Sequence, residues 1–189
     1  MRRSIALIAL LAVVACRTGR PAGVAVVPLS AATREDAIAQ LAQRRANFHG
    51  MKSLMRVRAT NGKTTQSFRA QLIVHDNQRM ELIAYTPVGT TALKMKANGS
   101  RIESDPEVTP EAFAFLRDSG LTPAEMGMLV LGLPPRDDTT WTFTAGGLAR
   151  VDIGEVMAVF DPPAFPAKRV TISTTRDHIE IEHLEVVSE

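Results

Sequence analysis

Cys16 is the only cysteine among the 189 residues, so its thiol cannot form a disulfide within the chain. Its setting offers it a different chemistry. Arg2 and Arg3 precede a short apolar run, Ile5 to Val14, and Val13-Val14-Ala15-Cys16 closes the segment. The run is too short for a bilayer span of ~20 residues and has the flanks of a secretory signal. A small residue directly before Cys is the pattern of a bacterial lipobox. There the thiol takes a diacylglycerol as a thioether, and a signal peptidase cuts in front of it. An ordinary signal peptide with a chance cysteine is the plainer alternative. Lipidation explains why an exported chain carries one unpaired cysteine.

The other reactive side chains form no catalytic constellation. His49, His75, His178 and His183 are the histidines. His178 and His183 lie five apart on an expected strand, where a regular pleat points them to opposite faces, so surface histidines are expected rather than a metal pair. Asp137-Asp138 reads as an acidic loop after Pro134-Pro135, and Gly62-Lys63-Thr64 lacks the upstream glycine of a phosphate-binding loop. GxSxG, HExxH, CxxC and Walker patterns are absent from the sequence. The expectation is no catalytic residue, no metal, no cofactor and no enzyme. Removing residues 1–15 lowers Lys+Arg from 22 to 20 against 20 Asp+Glu. Arg44-Arg45 and Lys168-Arg169 are short, scattered pairs, so a nucleic-acid partner is not expected.

The elements behind these residues change rhythm along the chain. Residues 17–29 are small and rich in Gly and Pro, as in a tether. Ser30 or Thr33 can cap a helix whose stripe is Ala37, Ile38, Leu41, Ala42 and Phe48, ending near Asn47. Alternation then takes over: Met55, Val57 and Ala59; Phe68, Ala70, Leu72 and Val74; Met80, Leu82 and Ala84; Leu93 and Met95. Asn61-Gly62, Asp76-Asn77 and Asn98-Gly99 mark the turns of an antiparallel meander with one apolar face. Thr109-Pro110-Glu111 opens a second helix carrying Phe113, Phe115 and Leu116. Thr122-Pro123-Ala124-Glu125 is a capping box for a third, Pro123 to Leu131, stopped by Gly132 and Pro134-Pro135. That third helix is apolar on more than one side, as in a buried or plugging element. Strands resume at Trp141 and Phe143 and run to Val186-Val187. From this pattern, a sheet curved around an apolar pocket and a sheet simply filled by its helix remain equally open.

Three segments resemble the LolA/LolB-like lipoprotein-localisation family, and LolB-type outer-membrane receptors in particular. Tyr85-Thr86-Pro87-Val88-Gly89-Thr90-Thr91-Ala92-Leu93-Lys94-Met95 is similar to that family's strand, turn and strand. Met128-Leu129-Val130-Leu131-Gly132-Leu133-Pro134 is similar to its apolar helix ending in Leu-Gly-Leu-Pro. Pro162-Pro163-Ala164-Phe165-Pro166-Ala167 is followed, as in the family, by a strand, a Thr-rich turn and a final strand, Ile179 to Val187. The order and spacing match across about residues 34–187.

The resemblance implies an α+β, mostly β fold. It is a half-open antiparallel β-barrel of about 9–11 strands, covered by about three helices and enclosing an apolar cavity. Residues 1–15 would be the lipoprotein signal peptide, 16–30 a lipidated flexible tether and 31–189 the lipid- and lipoprotein-binding domain. Phe68, Leu72, Met80, Leu82, Leu93, Met95, Met126, Leu129, Val130, Trp141 and Phe143 would line the acyl cavity. Pro87, Val88 and Gly89 would form a membrane-insertion loop, with Val where the family's usual pattern has Leu; a buried Val88 is the alternative. Cys16 would carry the lipid, including palmitate-length chains. Asp after the lipidated Cys is the familiar inner-membrane retention signal; Arg17 stands there, so the periplasmic face of the outer membrane is expected. The implied partners are a LolA-like periplasmic carrier, acylated lipoprotein cargo and outer-membrane lipid, with the protein acting as a monomer. A lipid or glycolipid carrier of the same fold, and a structural envelope lipoprotein with a filled core, are the alternatives.

Overall fold

A computed structural model describes residues 23–25, 27–29, 31, 33–107, 120–136, 140–144 and 147–189. Cys16, Asp137-Asp138 and the expected helix from Thr109 lie outside the described residues. Among these residues there are two helices rather than the three expected: α1 (Arg34–Ala46) and α2 (Pro123–Leu131).

The meander is formed by β2 (Met51–Asn61), β3 (Thr64–Val74), β4 (Arg79–Tyr85), β5 (Thr91–Asn98) and β6 (Arg101–Asp105). The second half comprises β7 (Thr140–Thr144), β8 (Gly147–Ile153), β9 (Val156–Asp161), β11 (Arg169–Ser173) and β12 (Asp177–Ser188). They join in one ten-stranded antiparallel sheet ordered β6-β5-β4-β3-β2-β12-β11-β9-β8-β7. The last strand pairs with the first strand of the meander, Asp177 with Asn61 through to Ser188 with Met51. This long-range pairing places the two halves side by side.

A two-stranded pair, β1 (Val27–Pro28) with β10 (Ala164–Phe165), stands apart from the main sheet. The Val24 N–H also donates to the Val186 carbonyl at 2.7 Å, and Leu29 is buried. Residues expected to belong to a flexible tether are therefore held on the domain here. Gly and Pro masked a segment that is held by backbone bonds at Val24 and Val27 and by the buried side chain of Leu29.

Period-two alternation sorts the sheet into two faces. Ala70, Leu72 and Val74 of β3, Met80 of β4, and Met95 and Ala97 of β5 are buried on one side. The other side carries cross-strand ion pairs, such as Arg56 with Glu182 at 2.7 Å and Lys96 with Glu81 at 3.0 Å. Helix α2 lies on the apolar face against β3, β4 and β5. Thr33 caps α1 by accepting from the Asp36 N–H, and Ala37 and Leu41 are the buried positions of its stripe.

Candidate functional site: the apolar face and its exposed turn

Helix α2 is fixed at both ends. At its start, Thr122 Oγ1 accepts from the Glu125 N–H and the Glu125 carboxylate accepts from the Thr122 N–H. Arg136 grips the same carboxylate with two bonds, Nε to Oε1 at 2.8 Å and Nη2 to Oε2 at 2.9 Å. That guanidinium contact, the largest cause, outweighs partial burial and holds the Glu125 carboxyl below its ordinary range. At the other end, the Gly132 N–H reaches Leu129 O and the Leu133 N–H reaches Met128 O. This is the pattern of a Schellman stop.

Two carbonyls remain at that buried end. The Ala167 N–H takes Leu131 O at 3.1 Å. His183 Nε2 takes Val130 O at 2.9 Å. A carbonyl only accepts, so Nε2 carries the proton and Nδ1 accepts from the Ser53 hydroxyl at 2.6 Å. Ser53 and His183 are 0% and 6% exposed. Burial, the largest cause, pushes the His183 pKa down despite the bond to Val130, so the ring stays neutral. The surface position expected for His183 is thus corrected. Ordinary alternation after Ile179 and Ile181 carries His183 into the apolar face opposite Met55, and the β12 register shift that follows it leaves Leu184 exposed. Sequence spacing alone carries no sign of that bulge. His178 follows the pleat to the outside, bonded to Ser173 Oγ at 2.9 Å.

The expected cavity side chains are largely brought together. Leu72, Met80, Met95, Met126, Leu129, Val130 and Trp141 are buried in one core cluster, with Phe68, Leu82 and Phe143 half-buried against it. Leu93 is half-buried on β5 and does not join that cluster. The described residues show packing here, not an enclosed cavity. A Cβ on Gly127 would stand 2.8 Å from Val74 Cγ2, so α2 sits directly on the sheet. The absence of a side chain at Gly127 permits that approach. The expected void is not shown among the described residues: α2 occupies the β3–β5 part of the face, where eight of its nine residues are buried.

Beyond α2, the face opens. Phe68, Leu82, Ala84 and Leu93 are only half-buried, toward the sheet end that carries the β4–β5 turn. Trp141 and Phe143 meet edge-to-face, centroids 5.9 Å apart at 71°. Arg45 lies 5.9 Å over the Trp141 ring and donates to Pro134 O at 3.2 Å, which sets α1 over this side. A polar depression of about 320 Å³ lies elsewhere, lined by His75, Arg79, Glu81, Lys96 and Arg101 among others. Its charged lining is unsuited to acyl chains.

The β4–β5 turn presents Val88 to solvent at 85% exposure, which settles the alternative of a buried Val88. The Gly89 N–H closes on Thr86 O at 2.9 Å with Pro87 and Val88 between them, the proline standing where its fixed φ favours the turn. Gly89 takes φ +88, a conformation costly for any side chain. The Thr86 and Thr90 hydroxyls meet at 2.7 Å, and the Thr86 N–H donates to Thr90 O at 2.8 Å. An apolar tip is thus held out on a braced base.

No protein-family model matches this chain, and no curated protein matches its sequence. Among solved structures, a LolA superfamily protein from Nitrosomonas europaea superposes with a TM-score of 0.51 at 6% identity, covering 84% of this chain and 94% of that one. A putative outer membrane lipoprotein-sorting protein domain from Vibrio parahaemolyticus superposes at 0.49 with 8% identity, covering 80% and 91%. A DUF1329 family protein from Desulfovibrio piger gives 0.41 with 10% identity, covering 82% and 91%. The first of these likenesses shows that the chain shares the fold of a LolA superfamily protein.

Proposed function

We propose that this protein is a lipid-anchored envelope receptor of the LolB type. It takes lipoproteins from a LolA-like periplasmic carrier, shelters their acyl chains on the half-open apolar face and passes them into the outer membrane. Val88 carries the reading: a valine held 85% exposed on a braced turn beside a half-covered apolar face. Turn tips are ordinarily polar, and an apolar one at the mouth of such a face suits contact with acyl chains. Cys16 would supply the anchor, as a monomer held at the destination bilayer. Each exposed CH₂ costs ~0.8 kcal/mol, so a chain of about sixteen carbons needs a covered route worth on the order of 12 kcal/mol. Transfer then runs by differential affinity among carrier, receptor and bilayer, and no catalysis is invoked.

The test is Val88→Glu, followed by lipoprotein transfer from loaded carrier into membranes. Incorporation should fall while the fold is retained; unchanged incorporation removes the turn from the mechanism. The close seating of α2 favours one second reading, a structural lipoprotein with a filled core. Native mass spectrometry separates the two, because a filled core carries no co-purifying lipid.

A further inference from the structure

We propose that Arg69 and Lys94 form a cationic collar behind Val88 that seats the domain on an anionic phospholipid surface. The proposal rests on the reading that Val88 meets a bilayer, and it adds which lipid the turn meets.

Register places the collar. Arg69 pairs with Tyr85, the last residue of β4, and Lys94 pairs with Ile83 on the other flank of that strand. Both cations are exposed on the outer face. Most of the cations around them are already matched: Arg56 to Glu182 at 2.7 Å, Arg58 to Glu180 at 3.8 Å and Lys96 to Glu81 at 3.0 Å. Arg69 and Lys94 have no carboxylate within 4 Å among the described residues. Asp105 faces Lys94 across β5 and β6 without closing on it; of the other acids near the pair, Glu182 is held by Arg56 and Glu81 by Lys96.

The depth fits a membrane surface. Val88 lies three residues past Tyr85, at most about 10 Å farther out at ~3.3 Å per residue. A bilayer's headgroup layer is about 5–7 Å thick on each side of its hydrocarbon core. The turn closed by Gly89 on Thr86 shortens that span, so with Val88 at the hydrocarbon boundary Arg69 and Tyr85 stand toward the outer edge of the headgroup layer. Lys94 lies lower, and its flexible stem carries the ammonium upward. Tyr85 presents a half-buried ring with a polar tip at the same level, as interfacial aromatics do.

The experiment uses the chain from residue 17, which retains every described residue and lacks the lipid. Sedimentation with vesicles compares phosphatidylcholine alone with phosphatidylcholine containing one-third phosphatidylglycerol. Each cation near an anionic surface contributes about five-fold, so binding should favour the anionic vesicles by about 10–30-fold at low salt. High salt should erase the preference. R69Q/K94Q should abolish most of it, whereas K96Q/R101Q should leave it intact. V88E should weaken binding to both vesicles. An absent preference in the parent chain, or one that survives in R69Q/K94Q, overturns the collar. So does a double variant that binds vesicles normally but no longer accepts cargo, which would mark a protein-docking patch. Transfer from loaded carrier, measured in parallel, separates the two proposals. Normal transfer without lipid preference leaves the receptor standing and removes the collar; preference without transfer does the reverse.

Discussion

Replacing His183 tests whether α2 is welded to the sheet or merely rests on it. His183→Ala removes both of its ring bonds at once. It strands the Val130 carbonyl at a buried helix end and leaves the Ser53 hydroxyl, at zero exposure, with only a long 3.5 Å bond to the Leu54 carbonyl. Each stranded buried group costs about 1–3 kcal/mol, so the loss should be about 3–5 kcal/mol once the vacated ring space is included. His183→Gln can still place an N–H near Val130 O, so it should lose about half as much. Trp141, the only tryptophan, is buried and reports unfolding by fluorescence. With a urea slope of about 2 kcal/mol per molar, His183→Ala should lower the midpoint by roughly 2 M. A pH series adds an independent arm. The folded-state pKa of His183 lies below its unfolded value of about 6.5, so the folded state binds fewer protons. Its contribution is full above that value and declines as pH falls through 6.5 toward the folded pKa, by up to ~1.4 kcal/mol per pH unit. His183→Gln should lack this component. A loss under about 1 kcal/mol in His183→Ala, or an unchanged pH slope in His183→Gln, would refute the weld.

Two other substitutions probe the same helix. Gly127→Ala should destabilise by about 1 kcal/mol, because a clash of about 1–3 kcal/mol against Val74 outweighs the ~1 kcal/mol helix-propensity gain; adding Val74→Ala should recover most of that in urea unfolding. Glu125 is held below its ordinary pKa by Arg136, so its stabilisation is present above the unfolded carboxylate value and is lost as pH falls through the lower folded one. Glu125→Gln should therefore flatten the acid limb of stability against pH, checked by circular dichroism between pH 5 and 2.

The alternation of β2 to β5 was legible because one face is buried and the other is paired in ions, so each residue's polarity reports its side. The capping box at Thr122 and the stop at Gly132 were equally plain, since those motifs are local. Three things were not. The β12 bulge just past His183, which leaves Leu184 exposed, depends on pairing with β2, more than a hundred residues away in sequence. The docking of Val24, Val27 and Leu29 was hidden by glycines and prolines that suit a linker equally well. The seating of α2 depends on the 2.8 Å approach at Gly127, and apolar periodicity cannot distinguish a helix that fills a sheet from one that roofs a void.

The docked N-terminal segment changes how an anchored Cys16 would act. The Val24 N–H is fixed to the Val186 carbonyl, so the reach of an anchor at Cys16 is counted from Val24. The chain from Cys16 to Val24 spans at most about 28 Å when fully extended. Val186 pairs with Ser53 of β2, in the row that continues through Leu72 to Leu82 of β4. Three strand spacings of ~4.8 Å separate β12 from β4, and Val88 lies about 15 Å farther along the strand direction. The two points are thus about 20 Å apart, of which ~15 Å runs along the strands toward the turn. A lipid on Cys16 would therefore hold Val88 within reach of the same bilayer. Deleting residues 18–21 would cut the reach to about 14 Å. Transfer should then collapse, although the lipid, Val88 and the fold are all retained. Full transfer by the shortened chain would mean that Val88 acts without touching the membrane that holds Cys16.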